Sequence, residues 1–220
     1  MTLKSADRPL RVLFVGNSQF YYSQIPDMVA QISASTVPME CHGALKGGSW
    51  LATHLEREET LEALASGPWD VVVLQDHYRA PEPELREKAH QGTQDMVARV
   101  RAAGARPILY ASPNIEATGR AGFQAIHDIT AALAQELDVT LAAAGAACLA
   151  AWDQQPDLDL HHTDRQHPND TASYVGACAI YSAITGRSPV GLPAADAVAD
   201  LDPALLAALQ AAVWSTRAGG

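Results

Sequence analysis

Apolar and polar positions along the chain follow two alternating rhythms. Five short runs rich in aliphatic and β-branched residues predict strands: Leu10 to Val15, Met39 to Ala44, Asp70 to Leu74, Pro107 to Ala111 and Val139 to Ala143. Between and after them lie stretches of helical period, at Ile25 to Ser33, Leu51 to Ala65, Pro83 to Ala103, Ala121 to Leu137, Thr171 to Thr185 and Pro203 to Trp214. Strands that alternate with helices predict an α/β fold with a parallel sheet. The central runs, such as Val71-Val72-Val73-Leu74, are too continuously apolar for a sheet with one wet face, so helices should cover both. Right-handed crossovers then give a three-layer α/β/α sandwich. Gly67-Pro68, Gly104 and Gly186 mark element boundaries; without an internal repeat or low-complexity linker, residues 1–220 read as a single domain. At the Ala-rich end, Leu201, Leu205, Leu206, Leu209 and Val213 have the spacing of an amphipathic helix packed on the sheet.

Composition narrows the partners. The 220 residues are 48% hydrophobic, enough to bury a sizeable core. Acidic residues outnumber basic ones by 25 to 15, and no Lys/Arg-rich run occurs, so neither nucleic acid nor an anionic membrane is expected as a partner. No apolar segment of signal-peptide length precedes the first strand, and no window approaches about 18 continuous apolar residues. A soluble, cytoplasmic protein is expected. Cys41, Cys148 and Cys178 are odd in number and lack CxxC spacing, which favours free thiols over disulfides or a thiolate metal site.

Ligands of open parallel sheets bind beyond the carboxyl ends of the strands, and chemistry-bearing residues gather there. Ser18 follows the first strand in Gly16-Asn17-Ser18, Gly47-Gly48-Ser49 follows the second, and Gln75-Asp76-His77 closes the third. Asp164 and His167 lie in the long loop expected after the fifth. A serine hydroxyl needs a base, and histidine suits that task when an acceptor fixes its tautomer. His167 is the candidate base and Asp164 its orienter. Asp164 could equally organise a turn ahead of a helix capped by Asn169 or Asp170. Oxyanion donors could come from the Ser18 and Gly48 backbones and the Gln75 amide. Alternatively, Gly47-Gly48 is a turn before a helix with Ser49 as its N-cap.

These blocks resemble the SGNH (GDSL-like) hydrolase superfamily over roughly residues 10 to 190, through Gly16-Asn17-Ser18, the Gly47-Gly48 loop, a strand-end amide at Gln75 and Asp164-x-x-His167. The resemblance implies a flavodoxin-like parallel five-stranded sheet and ester hydrolysis without a cofactor, acting on a small-molecule ester. It assigns Ser18 as nucleophile, His167 as base and Asp164 as its partner, with an oxyanion hole of Ser18, Gly48 and Gln75. Two positions depart from the family pattern: Asn17 stands where an aspartate is frequent, and Gln75 where an asparagine is usual. No Gly-x-Ser-x-Gly occurs, which argues against the other large serine-hydrolase fold.

Tyr21, Tyr22, Trp50, His77, Tyr78 and Arg79 follow directly on the motif positions and offer aromatic walls for a sugar or small aryl ester, or packing for the loops. The resemblance favours short acyl esters, acetylated carbohydrates among them. Two other classes fit less of the pattern. His161, His162, Asp164 and His167 could together hold a divalent metal, although no HExxH spacing supports this. A non-catalytic binding protein on the same fold would need no particular serine.

Overall fold

The computed structural model describes residues 8–217. Strands β1 (Leu10–Gly16), β2 (Met39–Leu45), β3 (Val71–Leu74), β4 (Arg106–Tyr110) and β5 (Thr140–Ala142) form one parallel sheet in the order β2-β1-β3-β4-β5. This is the flavodoxin-like order, in which the chain reverses direction across the sheet between β1 and β3.

Alternation along the strands explains the three layers. Val12 and Phe14 of β1, Val71 and Val73 of β3, and Ile108 of β4 enter one core, with helices α2 (Ile25–Ser33), α7 (Ala144–Gln154), α8 (Asp170–Thr185) and α9 (Pro203–Arg217). Leu13, Val15, Val72, Leu74 and Leu109 point the other way, against Leu51 of α3 (Leu51–His54), Leu64 of α4 (Glu58–Ala65) and Met96 and Val97 of α5 (Arg86–Ala102). Helix α6 (Gly119–Glu136) contributes Phe123 to the first core and Leu133 to the second.

Three expectations change. Leu51 to Ala65 is not one helix: it breaks after His54, whose buried ring bonds Thr60 of α4. The segment after β5 is not all loop, because α7 occupies its first half. Ala144, Ala147, Cys148 and Ala151 are buried along α7, and so uniformly apolar a stretch carries no amphipathic period. A one-turn helix, α1 (Ser18–Tyr21), also follows β1 directly. Cys148 and Cys178 are buried free thiols and Cys41 is a partly buried one. Among the described residues, no helix is long and apolar enough to cross a membrane.

Candidate active site

Register aligns the site. Gly16 pairs with Leu45, and Val15 with Leu74, so β1, β2 and β3 end nearly level and release Ser18, Gly48 and Gln75 at one edge. At Gly16 a β-carbon would lie 2.8 Å from Gln75 Oε1 and 2.9 Å from Phe20, so only glycine lets the amide come this close. Gln75 Oε1 accepts the Asn17 N–H at 3.0 Å, and its Nε2 donates to the Asp76 carbonyl. The buried Gln75 therefore braces the turn that presents Ser18, and one N–H of its amide is left for another acceptor.

Asn17 caps α1: its Oδ1 accepts the Gln19 N–H at 3.2 Å, while Nδ2 donates to the Ser49 carbonyl at 3.0 Å. An aspartate could make the first bond and not the second, which gives the departure at this position a physical reason. The bond also ties the Ser18 turn to the glycine loop. There Gly48 has φ 66°, a left-handed backbone that a side chain would strain. Neither the Ser18 nor the Gly48 N–H engages a backbone acceptor among the described residues. Ser49 does not cap α3; Asp76 does so from the β3 loop, accepting the Leu51 N–H at 3.0 Å and the His77 N–H at 2.8 Å.

His167 sits on a tight loop closed by an antiparallel bridge between His161 and Pro168. Arg165 adopts φ 58° at its tip and is held there by ion pairs to Glu116 and Asp159. Asp164 Oδ1 accepts the N–H groups of Gln166 and His167 at 2.9 and 3.0 Å, and Oδ2 lies 2.6 Å from His167 Nδ1. Since a carboxylate accepts, Nδ1 carries the proton and Nε2 is free to accept the Ser18 hydroxyl, 2.9 Å away. Ser18, His167 and Asp164 thus form one hydrogen-bonded chain, although Ser18 and His167 are 149 positions apart. Burial would raise the Asp164 pKa, but hydrogen bonds from the Gln166 N–H, the His167 ring and the His167 N–H outweigh it and hold the carboxyl well below the usual range. Asn169 caps α8 through the Ala172 N–H, so the loop also leads into a helix.

Beyond the ends of β2 and β3, Trp50, His77 and Tyr78 stack in sequence, with centroids 4.6 Å apart at each step, and Lys88 lies over Trp50. Tyr21 stands apart from them, its hydroxyl 2.7 Å from where a Gly47 β-carbon would project. The residues of the metal alternative do not converge. His161 is buried with Nε2 against the Asn114 carbonyl, and His162 turns its Nδ1 to Thr163, leaving Asp164 and His167 to each other. Among the described residues, no group of three or more His, Cys, Asp or Glu is placed to hold a metal ion.

Three residues take parts here that the sequence reading did not give them. His54 is buried, its Nε2 donating to the Gly16 carbonyl at 2.9 Å and its Nδ1 accepting from Thr60 at 2.7 Å, and burial lowers its pKa. Asp76 is pushed up to about 6 by burial, against the lowering effect of the Leu51 and His77 N–H groups and the Thr93 hydroxyl. Tyr22 lies flat on His167. A polar residue adjoining an apolar run was the only visible hint for the first two.

No protein-family model matches the chain, and no curated protein matches it. Solved structures do. A DUF4886 family protein from Bacteroides uniformis superposes with a TM-score of 0.79 at 17% identity, over 96% of each chain. A protein from Slackia heliotrinireducens described as a candidate SGNH hydrolase gives 0.67 at 24% identity, over 82% of this chain and 100% of that one. A variant of an acetyl xylan esterase from Geobacillus stearothermophilus gives 0.59 at 15% identity, over 82% and 97%. At these identities the likeness is one of fold, and it shows that the chain has the three-layer α/β/α fold of the SGNH hydrolases.

Proposed function

We propose that the protein is a serine esterase that cleaves short-chain carboxylic esters through an acyl-enzyme. The observation that carries this reading is the hydrogen-bonded chain from Asp164 through His167 to Ser18, with the hydroxyl 2.9 Å from the base. In the first half-reaction Ser18 Oγ bonds to the ester carbonyl carbon while its proton passes to His167 Nε2. The carbonyl electron pair moves onto oxygen, where the Ser18 and Gly48 N–H groups and the remaining Gln75 N–H are the donors that stabilise it. The tetrahedral intermediate then expels the alcohol, which takes the proton from His167. In the second half-reaction water attacks the acyl carbon as it gives a proton to His167; the tetrahedral intermediate then breaks its bond to Ser18 Oγ, which takes that proton back as the acid leaves. Asp164 stays ionised throughout and holds Nδ1–H.

No step in this cycle calls for a cofactor. The exposed Tyr21 beside the glycine loop and Tyr78 at the end of the stack suit an acetylated carbohydrate, since a flat ring with a free face offers an apolar surface to a sugar. That solved structures of the same fold include acetyl xylan esterases supports the same substrate class.

The test is hydrolysis of p-nitrophenyl acetate, butyrate and octanoate by the wild type and Ser18→Ala, each with and without chelator. Chelator-resistant turnover that favours acetate and is lost in the variant is expected. Activity surviving in Ser18→Ala would mean a different nucleophile, and loss on chelation would mean a metal-dependent reaction.

A further inference from the structure

The five residues after Ser18 grip the loop that carries the base. Gln19 Nε2 donates to the Gln166 carbonyl at 3.3 Å, and Ser23 Oγ donates to the Pro168 carbonyl at 3.2 Å. Between these two bonds Tyr22 covers His167 itself: the ring centroids are 4.0 Å apart and the planes diverge by 1°. Tyr22 is 41% exposed, so it fills no core, and an aromatic ring left half in water needs another reason for so close a fit. Its backbone N–H bonds the Ser18 carbonyl at 3.0 Å, which fixes the ring relative to the nucleophile as well.

We propose that Tyr22 is a positioning residue for His167, holding the imidazole plane in line with Ser18 Oγ and stabilising the imidazolium that forms when Ser18 gives up its proton. Two physical effects combine. A flat contact on one face stops the ring from turning about its Cβ–Cγ bond, so Nε2 stays on the hydroxyl while Nδ1 stays on Asp164. The electron-rich face of Tyr22 also attracts the ring more strongly once it is charged, an interaction present after proton transfer and nearly absent before it. The Tyr22 hydroxyl lies beside Asp164, and burial together with that carboxylate raises its pKa, so Tyr22→Phe separates the hydroxyl from the ring. Asp164 faces Nδ1 and Ser18 faces Nε2. His162 packs edge-on against the Tyr22 ring, 4.8 Å between centroids, and bonds the His167 carbonyl through its own N–H. The Arg165 guanidinium is paired with Glu116 and Asp159.

This assignment rests on the serine-esterase reading, yet its test has a readout independent of turnover. The His167 ring signals are followed by NMR against pH in wild type, Tyr22→Leu and Tyr22→Phe, alongside kcat and KM and a thermal melt of each protein. Leucine covers the imidazole with similar bulk but has no π face, whereas phenylalanine keeps the ring. In Tyr22→Leu the acid limb of kcat/KM should move to lower pH, and the midpoint of the ring signals should move with it. Its kcat should drop roughly 3- to 30-fold at an unchanged KM, and Tyr22→Phe should restore both quantities. An unmoved midpoint in folded Tyr22→Leu, or an equal shift in Tyr22→Phe, overturns the proposal. So does a rise in KM with kcat intact, which would make Tyr22 a substrate contact. Failure of the esterase reading shows elsewhere, as turnover that survives Ser18→Ala.

Discussion

Gln75 is asked to do two things at once. Its Oε1 holds the buried Asn17 N–H and its Nε2 the Asp76 carbonyl, while the remaining N–H is the donor proposed for the oxyanion. Gln75→Ala should therefore cost kcat on the order of 10²–10³. It should also lower stability in urea by about 1–3 kcal/mol, because the Asn17 N–H loses its acceptor. Ser18→Ala, which breaks only the bond to His167, should leave the urea midpoint nearly unchanged; a Gln75→Ala protein as stable as wild type would rule out the brace. Asp164→Asn removes the charge that fixes Nδ1–H and lets the amide donate to Nδ1, so that Nε2 carries the proton and cannot accept from Ser18. A fall in kcat of about 10³–10⁴ is expected with the fold retained, and equal activity in the two proteins would remove Asp164 from the mechanism. Ser18 drew notice in the sequence because it stands where an apolar strand ends, and Asp164 and His167 because a carboxylate and an imidazole three residues apart share one polar loop. The flat contact of Tyr22 on His167 was not legible there, since it joins segments far apart in the chain and leaves no periodic trace.

At the level of elements, the Gly47-Gly48 loop depends on how α3 begins. Its first turn is capped from β3 by Asp76, a half-buried carboxyl whose pKa is pushed up to about 6. The unfolded carboxyl titrates near the ordinary value of 3.8, so between about pH 4 and pH 6 the folded chain binds more protons than the unfolded one. Stability from this group is therefore gained on acidification through that window and lost as pH rises through 6. Asp76→Asn can still accept from Leu51 and His77, and should flatten this part of the melting-temperature curve between pH 4 and 7. Parallel curves for the two proteins would show that Asp76 does not titrate there. His54 contributes with the opposite sign. Its pKa is lowered, so below about 6.5 the unfolded chain takes up a proton that the folded one refuses, and stability is lost as pH falls. Element positions were largely legible from hydrophobic period. Those that were not, α7 and the break after His54, depend on burial from all sides and on a bond between side chains six residues apart.

For the whole molecule, the sheet is the rigid frame and the site hangs from its edge. Ile108 is fully buried in the larger core and away from the reacting groups, so Ile108→Ala should lower stability by about 2–5 kcal/mol in urea and leave the kcat of the folded protein near wild type. A large loss of kcat at full stability would mean that the sheet edge moves with its core. The sequence by itself determined the class of fold and the parallel sheet, and it singled out Ser18, His167 and Asp164 as the residues of the proposed triad. Hydrophobic period is dictated by which faces must leave water, and reactive side chains cluster where backbone leaves a strand, so both are written locally. The tertiary structure alone decided that His167, of the four histidine-loop groups, meets Ser18, that Gln75 braces the Ser18 turn, that Asp76 and His54 hold its neighbours, and that Tyr22 covers His167. Those contacts are set by packing between segments distant in the chain, where distance and burial, not residue type, determine what a side chain does.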